Sequence, residues 1–382
     1  MEPHGICERV VGVRVSVGWL GERLVAECYA LKGPGLTIRR QRLTKGCISW
    51  SFLQPFPVLS EVAGRRTDGR FLARWEMKRV PDRNLYSDPR PVAIGGIGGS
   101  GTRVFAALLT AAGAYMGPCL NEALDNLWFT VLFKRPEWGQ QPAFGPPAPH
   151  EIAASVRLFH RAMVHGLADW GDTADKRLLR KLRDGLPPCG AWKCGAQAEH
   201  ADSLIASKPP AEGALRFWGW KEPNTHIFLP HIDRHIPGLR YIHIVRNGLD
   251  MAFSQNSWQA RHWGQLYGMP YRPDVPSPVQ KLRYWSAANE RAIVYGKANM
   301  RGRFLTVQYE DFCRQPQEHW HRIKHFLGLP NEQPLPAGLV SPSTIGRSAL
   351  LDLSGIPQAD LENAKVVQQM VDSEGVPVRL NA

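Results

Sequence analysis

Twelve residues at 94–105, IGGIGGSGTRVF, carry five glycines in their first eight positions and then turn into an apolar helical pattern. A short apolar strand expected at about 92–95 would run into this glycine turn and leave it as a helix. Such a junction gathers unpaired backbone N–H groups and the positive end of a helix dipole around one point, which makes it a phosphate site. Glycine lets an anion reach the amides and permits positive φ. Ser100 and Thr102 add hydroxyl donors. The nucleotide-hydrolysing form of this loop needs Gly, four residues, Gly, then Lys and a hydroxyl that serve the phosphates and magnesium. Gly96 and Gly101 hold the two glycine positions, but Thr102 and Arg103 stand where the lysine and the hydroxyl belong. A metal-bound triphosphate is therefore not expected, and neither is a P-loop kinase.

The stretch YIHIVRNGLDMAFSQN repeats the plan of strand, turn and helix, with Arg246 at the strand end and Ser254 eight residues on. A helix opening at Gly248 would put Ser254 near its second turn, facing back toward the arginine. A guanidinium beside a hydroxyl suits a second, separate phosphate. The plainer alternative pairs Arg246 with Asp250 in a surface ion pair.

Together GGSGTR and RNGLDMAFS resemble the sulfotransferases that use 3′-phosphoadenosine 5′-phosphosulfate (PAPS). The resemblance continues through WGWKEPNTHIFLP, which is similar to the Lys-acid-Pro segment of tyrosylprotein-type members. It extends into KLRYWSAANERAIVY and VQYEDFCRQP, and covers about residues 91–350. It implies an α/β fold, a P-loop-like and mostly parallel sheet with helices on both faces. It implies that Gly98, Gly99, Ser100, Gly101, Thr102 and Arg103 surround the 5′-phosphosulfate. Arg246 and Ser254 would take the 3′-phosphate, and Arg347 would reach the nucleotide from a C-terminal loop unless it is an ordinary surface arginine. No metal is implied, and the acceptor is a hydroxyl of a small molecule, glycan or peptide.

Many members of that family carry Lys or Arg just before the Ser-Gly-Thr, where this chain has Gly99. The cation for the leaving phosphate then falls to Arg103 or Lys221, and Lys221 is preferred because its segment matches the family pattern. The resemblance also implies a carboxylate base after the first helix, where MGPCLNEALDNLWF offers Glu122 and Asp125. The two share a face if that segment is helical. Glu122 lies nearer the family position, and the apolar run after Asp125 would bury it and raise its pKa. Both stay open, as does a capping or solvated role for either. His226 follows Lys221 by five residues, the wrong offset for the histidine base of the cytosolic branch. Trp218, Trp220 and Trp285 could line an acceptor cleft, but with 13 tryptophans in the chain core packing is the expectation.

The elements that would position these residues alternate in type. The stretch from Thr102 to Gly117 has helical spacing, and further helices are expected at about 149–170 and 174–184. A buried strand at about 240–245, a long helix in PVQKLRYWSAANERAIVYGKA, a strand in RFLTVQYED and a helix in EHWHRIKHFLGLP complete the pattern. Residues 1–90 differ: they show short β-like runs and a linker-like VPDRNLYSDPRP, and are expected to be a small β appendage or a poorly ordered extension. Residues 91–350 would form the working domain and 351–382 a helical tail.

The 382 residues carry a net charge of +13, which calls for an anionic partner. Residues 1–90 hold 16 Lys and Arg against 9 Asp and Glu, scattered as on a solvated surface, and no strand interleaves aromatic with basic residues as nucleic-acid binders do. Seven unevenly spaced cysteines form no disulfide framework, and Cys189, Cys194 and His200 make a poor zinc pattern. With no long uncharged apolar run and no apolar stretch behind a basic start, a cytoplasmic protein is expected. The rival readings are a protein of the same fold that binds the nucleotide with weak or no catalysis and a P-loop kinase, whose loop lysine is absent here. The oligomeric state is not legible.

Overall fold

The computed structural model of the chain describes residues 10–20, 23–32, 41–43, 60–65, 71–76, 91–139, 146–168, 173–184, 197–210, 217–339, 345–346 and 351–372. They fall into two compact units, residues 1–83 and 84–382. In the first, β1 (Val10–Leu20), β2 (Arg23–Lys32) and β3 (Gln41–Leu43) form an antiparallel sheet, and β4 (Ser60–Arg65) pairs with β5 (Phe71–Glu76).

The second unit alternates strands and helices. Its first half holds β6 (Val92–Gly96), α1 (Thr102–Ala111), β7 (Ala114–Tyr115), α2 (Leu127–Phe133), α3 (Pro136–Gly139), α4 (Pro149–Val164), α5 (Thr173–Asp184) and α6 (Gln197–Ala206). Next come β8 (Phe217–Lys221), α7 (Thr225–His235), β9 (Arg240–Val245), α8 (Gly248–Ala252), α9 (Trp258–Trp263) and α10 (Ser277–Asn299). The chain continues through β10 (Phe304–Gln308), α11 (Tyr309–Arg314), α12 (Pro316–Leu327) and α13 (Gln358–Asp372).

Five strands form one sheet in the order β10-β9-β6-β8-β7, and every neighbouring pair is parallel. The strands alternate between two apolar cores. Ala93, Tyr241 and Val245 face the core built with α2, α4, α7, α10 and α13, while Val92, Ile94, Ile242 and Ile244 face the one built with α1, α11 and α12. Both faces of the sheet are thus covered, as parallel sheets require. The expected α/β architecture is the one observed. Because β6 lies between β8 and β9, the C-terminal ends of all three strands meet along one edge, where ligands of open parallel sheets bind.

Two local expectations need correction. The apolar period beginning at Thr102 does not run on to Gly117, because α1 stops at Ala111 and Gly113 takes φ +89°. Ala114 and Tyr115 then pair with β8 as an edge strand. The segment with Glu122 and Asp125 is not helical either. Asn121 closes it as a turn, its Oδ1 accepting from the N–H groups of Ala123 and Asp125 at 2.9 Å each, with Leu124 at φ +60°. The two carboxylates therefore share no helical face. α2 begins only at Leu127, capped by Asn126, whose Oδ1 accepts from the Phe129 N–H at 3.1 Å.

One buried polar chain ties β9 to α10. Asn289 donates from Nδ2 to the Trp285 carbonyl at 2.9 Å, so its Oδ1 accepts from His243 Nε2 at 3.0 Å. His243 Nδ1 then accepts from the Tyr241 hydroxyl at 3.2 Å. Burial pushes the His243 pKa down to about 4. From pH 6.5 down to 4 the unfolded chain takes up a proton here that the folded chain refuses. The histidine thus removes up to about 1.4 kcal/mol of stability per pH unit as the pH falls, and nothing above pH 6.5. Urea unfolding of a His243→Gln variant from pH 7 to 5 is expected to have a pH slope shallower by that amount.

Candidate active site

The loop between β6 and α1 holds its shape through two glycines at which any side chain would be strained. Gly96 sits at φ +141° with the Ile244 carbonyl 2.2 Å from where a Cβ would lie, and Gly101 at φ +89° with the Tyr309 ring at 2.2 Å. Gly101→Ala is expected to lose about 1–3 kcal/mol from backbone strain and the overlap together. Urea unfolding measures it, and the double variant with Tyr309→Ala should lose less than the sum of the two single losses, since the overlap goes while the φ strain remains. Gly99 also has positive φ, +101°, though a Cβ there would meet only Met251 at 3.5 Å. A lysine or arginine at this position would thus be disfavoured by the backbone, not by crowding.

The loop's donors divide into used and available. The Gly98 N–H donates to Gln259 Oε1 at 2.6 Å and the Ser100 N–H to the Ile97 carbonyl at 3.0 Å. Among the described residues nothing accepts from the N–H groups of Gly99, Gly101 and Thr102. Ser100 Oγ is buried with no partner among them. Gly98 therefore leaves the set of anion donors in which the sequence reading placed it. Thr102 is buried, and Arg103 is exposed on the first turn of α1.

Arg246 lies at the end of β9, next to the loop. Its Nη1 donates to the Gly99 carbonyl at 3.2 Å, and its side chain is 3.9 Å from both Asp250 and Glu310. The guanidinium also stands over the Tyr309 ring, 5.6 Å from its centroid. The i,i+4 contact with Asp250 exists, but the side chain is only 15% exposed, so it is no surface pair. Glu310 is buried, and burial pushes its pKa up despite the nearby arginine. Its Oε2 has no partner among the described residues.

Ser254 departs from expectation. α8 ends at Ala252, so Ser254 follows the helix, and its Oγ donates to the Met251 carbonyl at 2.7 Å. Lys281 of α10 holds its carbonyl. Arg347 lies outside the described residues.

Lys221 ends β8, in register with Ile94 of β6. Its ammonium is buried and donates to Asp125 Oδ1 at 2.5 Å and to the Ala123 carbonyl at 2.8 Å. Burial pushes the Lys221 pKa down, and the adjacent Asp125 carboxylate works against that shift. Asp125 is buried, with Asn121 Nδ2 donating to its other oxygen at 3.2 Å, while Glu122 is exposed. The structure thus separates the two carboxylates: one is committed to Lys221 and one is in solvent.

His226 is buried at the start of α7. Its Nδ1 lies 2.8 Å from the Pro223 carbonyl, to which it must donate, leaving Nε2 to face the Tyr284 hydroxyl at 3.4 Å. Burial pulls its pKa down to about 3, so it serves the core as a neutral ring. Trp218, Trp220 and Trp285 are core residues too. Trp285 donates from Nε1 to the Arg246 carbonyl at 2.9 Å and so braces the arginine's backbone.

Sequence reasoning missed Lys134, Glu222, Asn224, Gln259 and Glu310, all of which touch this edge. Glu222 is fully buried beside Lys221, and its carboxylate is bonded by the Lys134 ammonium. Burial pushes the Glu222 pKa up, and Lys134 opposes it. Only Glu222 had a signal, as the acid of the Lys-acid-Pro segment. Among the described residues there is no cluster of three or more His, Cys, Asp or Glu placed to hold a metal, and no helix is long and apolar enough to cross a membrane.

Residues 91–333 match the sulfotransferase family. Among solved structures, the sulfotransferase domain of the Synechococcus PCC 7002 olefin synthase is similar at 14% identity, over 76% of this chain and 97% of that one, with a TM-score of 0.39. A sulfotransferase of Mycobacterium tuberculosis H37Rv is similar at 16% identity, over 75% and 77%, with a TM-score of 0.35. The corresponding values for a sulfotransferase from Alicyclobacillus acidocaldarius are 13%, 75% and 94%, and 0.36. No curated protein matches the chain. With well over half of its length matched, and the glycine loop, Lys221 and Arg246 all inside the matched span, the chain belongs to the sulfotransferase family and is an enzyme of sulfuryl transfer.

Proposed function

We propose that the protein moves the sulfuryl group of PAPS to an acceptor hydroxyl. The observation that carries this reading is the guanidinium of Arg246 hydrogen-bonded to the glycine loop itself, at the Gly99 carbonyl. A cradle of main-chain amides and a half-buried cation then stand side by side, as a nucleotide phosphorylated at both 3′ and 5′ positions demands. The Ser100 hydroxyl, buried and without a partner among the described residues, fits the same requirement.

When bound, PAPS supplies the sulfuryl group and a bisphosphate leaving group. The N–H groups of Gly99, Gly101 and Thr102, with Ser100, hold the 5′ end, and Arg246 the 3′-phosphate. Ser254 and Arg347 support it there, the serine after rotating its hydroxyl off Met251. Lys221 neutralises charge on the leaving phosphate, which is the main electrostatic task in transfer of this kind. Asp125 keeps the Lys221 ammonium in place. Glu122 is the base, because both oxygens of Asp125 are engaged and an exposed carboxylate has room to take the acceptor's proton. Arg103 occupies the place of the metal-binding hydroxyl of hydrolase loops, so transfer proceeds without a metal.

The acceptor is a small-molecule, glycan or peptide hydroxyl and not a nucleic acid. Residues 1–90 are an appendage, 91–350 the transferring domain and 351–382 a tail. The seven scattered cysteines favour the cytoplasm. The test is incubation with labelled PAPS and a panel of alcohols, phenols and glycans, with and without chelator, beside calorimetry with 3′-phosphoadenosine 5′-phosphate. Transfer that survives the chelator supports the reading. Absence of both transfer and nucleotide binding overturns it.

A further inference from the structure

The two peptide groups that flank Gly98 are held by one segment of chain. The Gly98 N–H donates to Gln259 Oε1 at 2.6 Å, and the Gly98 carbonyl accepts from Asn256 Nδ2 at 3.3 Å. Gln259 is buried, 161 residues away in sequence, and its other end donates from Nε2 to Asn224 Oδ1 at 2.5 Å. Asn224 donates from Nδ2 to Glu222 Oε1 at 3.0 Å and from its N–H to Oε2 at 2.7 Å, and Glu222 is bonded by Lys134. Trp263 Nε1 also donates to Asn224 Oδ1, at 3.0 Å.

Every amide in this series has its orientation forced. Three successive donations run from Gly98 through Gln259 and Asn224 to the buried carboxylate of Glu222. Aligned amides that end on a charge polarise one another, which strengthens each bond in a low-dielectric core. Gly98 is the position that needs this help: its φ is not among the positive ones, and a Cβ there would meet only side-chain atoms at 3.3 Å and beyond. A loop this rich in glycine costs about 1–2 kcal/mol per residue to order.

We propose that Gln259 is a positioning residue of the sulfotransferase site, pinning Gly98 so that the loop has its anion-holding shape before the nucleotide arrives. The proposal rests on the PAPS reading above. The competing role, in which the Gln259 oxygen occupies the place of a phosphosulfate oxygen and is displaced by it, predicts the opposite sign. Removing Gln259 would then tighten nucleotide binding.

The experiment uses the full chain. Gln259→Leu keeps the volume and removes both bonds, and Asn256→Ala, at an exposed position, leaves Gln259 in place and releases the Gly98 carbonyl together with the Trp258 N–H at the start of α9. Without any nucleotide, hydrogen exchange in the peptide spanning 94–105 is expected to accelerate in both variants while exchange in α10 and α12 stays unchanged. Calorimetry with 3′-phosphoadenosine 5′-phosphate is expected to show a Kd raised about tenfold in Gln259→Leu and about threefold in Asn256→Ala, the scale of one or two hydrogen bonds. The KM for PAPS should rise with it and the KM for the acceptor should not. Unchanged loop exchange, or tighter nucleotide binding in Gln259→Leu, overturns the proposal. If Gln259→Leu does not fold, Asn256→Ala decides by the same two readings. If the unaltered protein binds no nucleotide, it is the PAPS reading that fails, and loop exchange still judges the role of Gln259.

Discussion

Replacing Lys221 by methionine is expected to lower kcat by about 10²–10³, the loss found when one preorganised charge-stabilising donor is removed. The ammonium ends β8 in register with Ile94, two residues before the loop begins to turn. It is buried and held by Asp125 and the Ala123 carbonyl, so it stands ready without reorganisation. The same substitution leaves Asp125 buried without its partner, which costs about 3–5 kcal/mol of stability. Kinetics must therefore be read beside unfolding. A Lys221→Met, Asp125→Leu double variant is expected to regain most of the lost stability and none of the lost turnover. Glu122→Gln, at an exposed position, should lower kcat with an unchanged thermal midpoint. Full turnover in Lys221→Met would assign the leaving-group cation elsewhere.

Arg246→Ala is expected to raise the Kd for 3′-phosphoadenosine 5′-phosphate by about 30-fold or more, corresponding to the 2–5 kcal/mol typical of truncating one partner of a buried charged contact. Two effects add here. The guanidinium's own bonds to phosphate are lost, and Asp250 and Glu310, each 3.9 Å from it, are left facing the anion without compensation. The 3′-phosphate takes no part in bond exchange, so kcat at saturating PAPS should stay within a few fold of the unaltered protein. Titration calorimetry and the split between KM and kcat check both halves. A fall in kcat with unchanged affinity would place Arg246 at the reacting end of the nucleotide.

The surroundings of Arg246 show how far local reading reaches. That a strand ends there, and that a cation stands at the end of it, follows from the β-branched run YIHIV and one arginine. That Ser254 would face it from a second helical turn does not follow, because α8 closes after five residues and the serine bonds to its own turn at Met251. Helix ends depend on what the next turn packs against, and here Lys281 of α10 captures the Ser254 carbonyl.

The same division runs through the whole site. Sequence alone determined the junction of strand, glycine turn and helix that begins near residue 92, the α/β alternation, and the standing of Lys221 and Arg246 at strand ends. Apolar periodicity, positive-φ glycines and charge are properties of short stretches. Tertiary structure alone decided that β8 lies beside β6, that Lys221 takes Asp125 and leaves Glu122 in solvent, and that Gln259 reaches Gly98. Those contacts join residues 96 and 161 positions apart. Strand order brings such residues together, and strand order is set by covering both faces of one parallel sheet, a condition that no short stretch of the chain expresses.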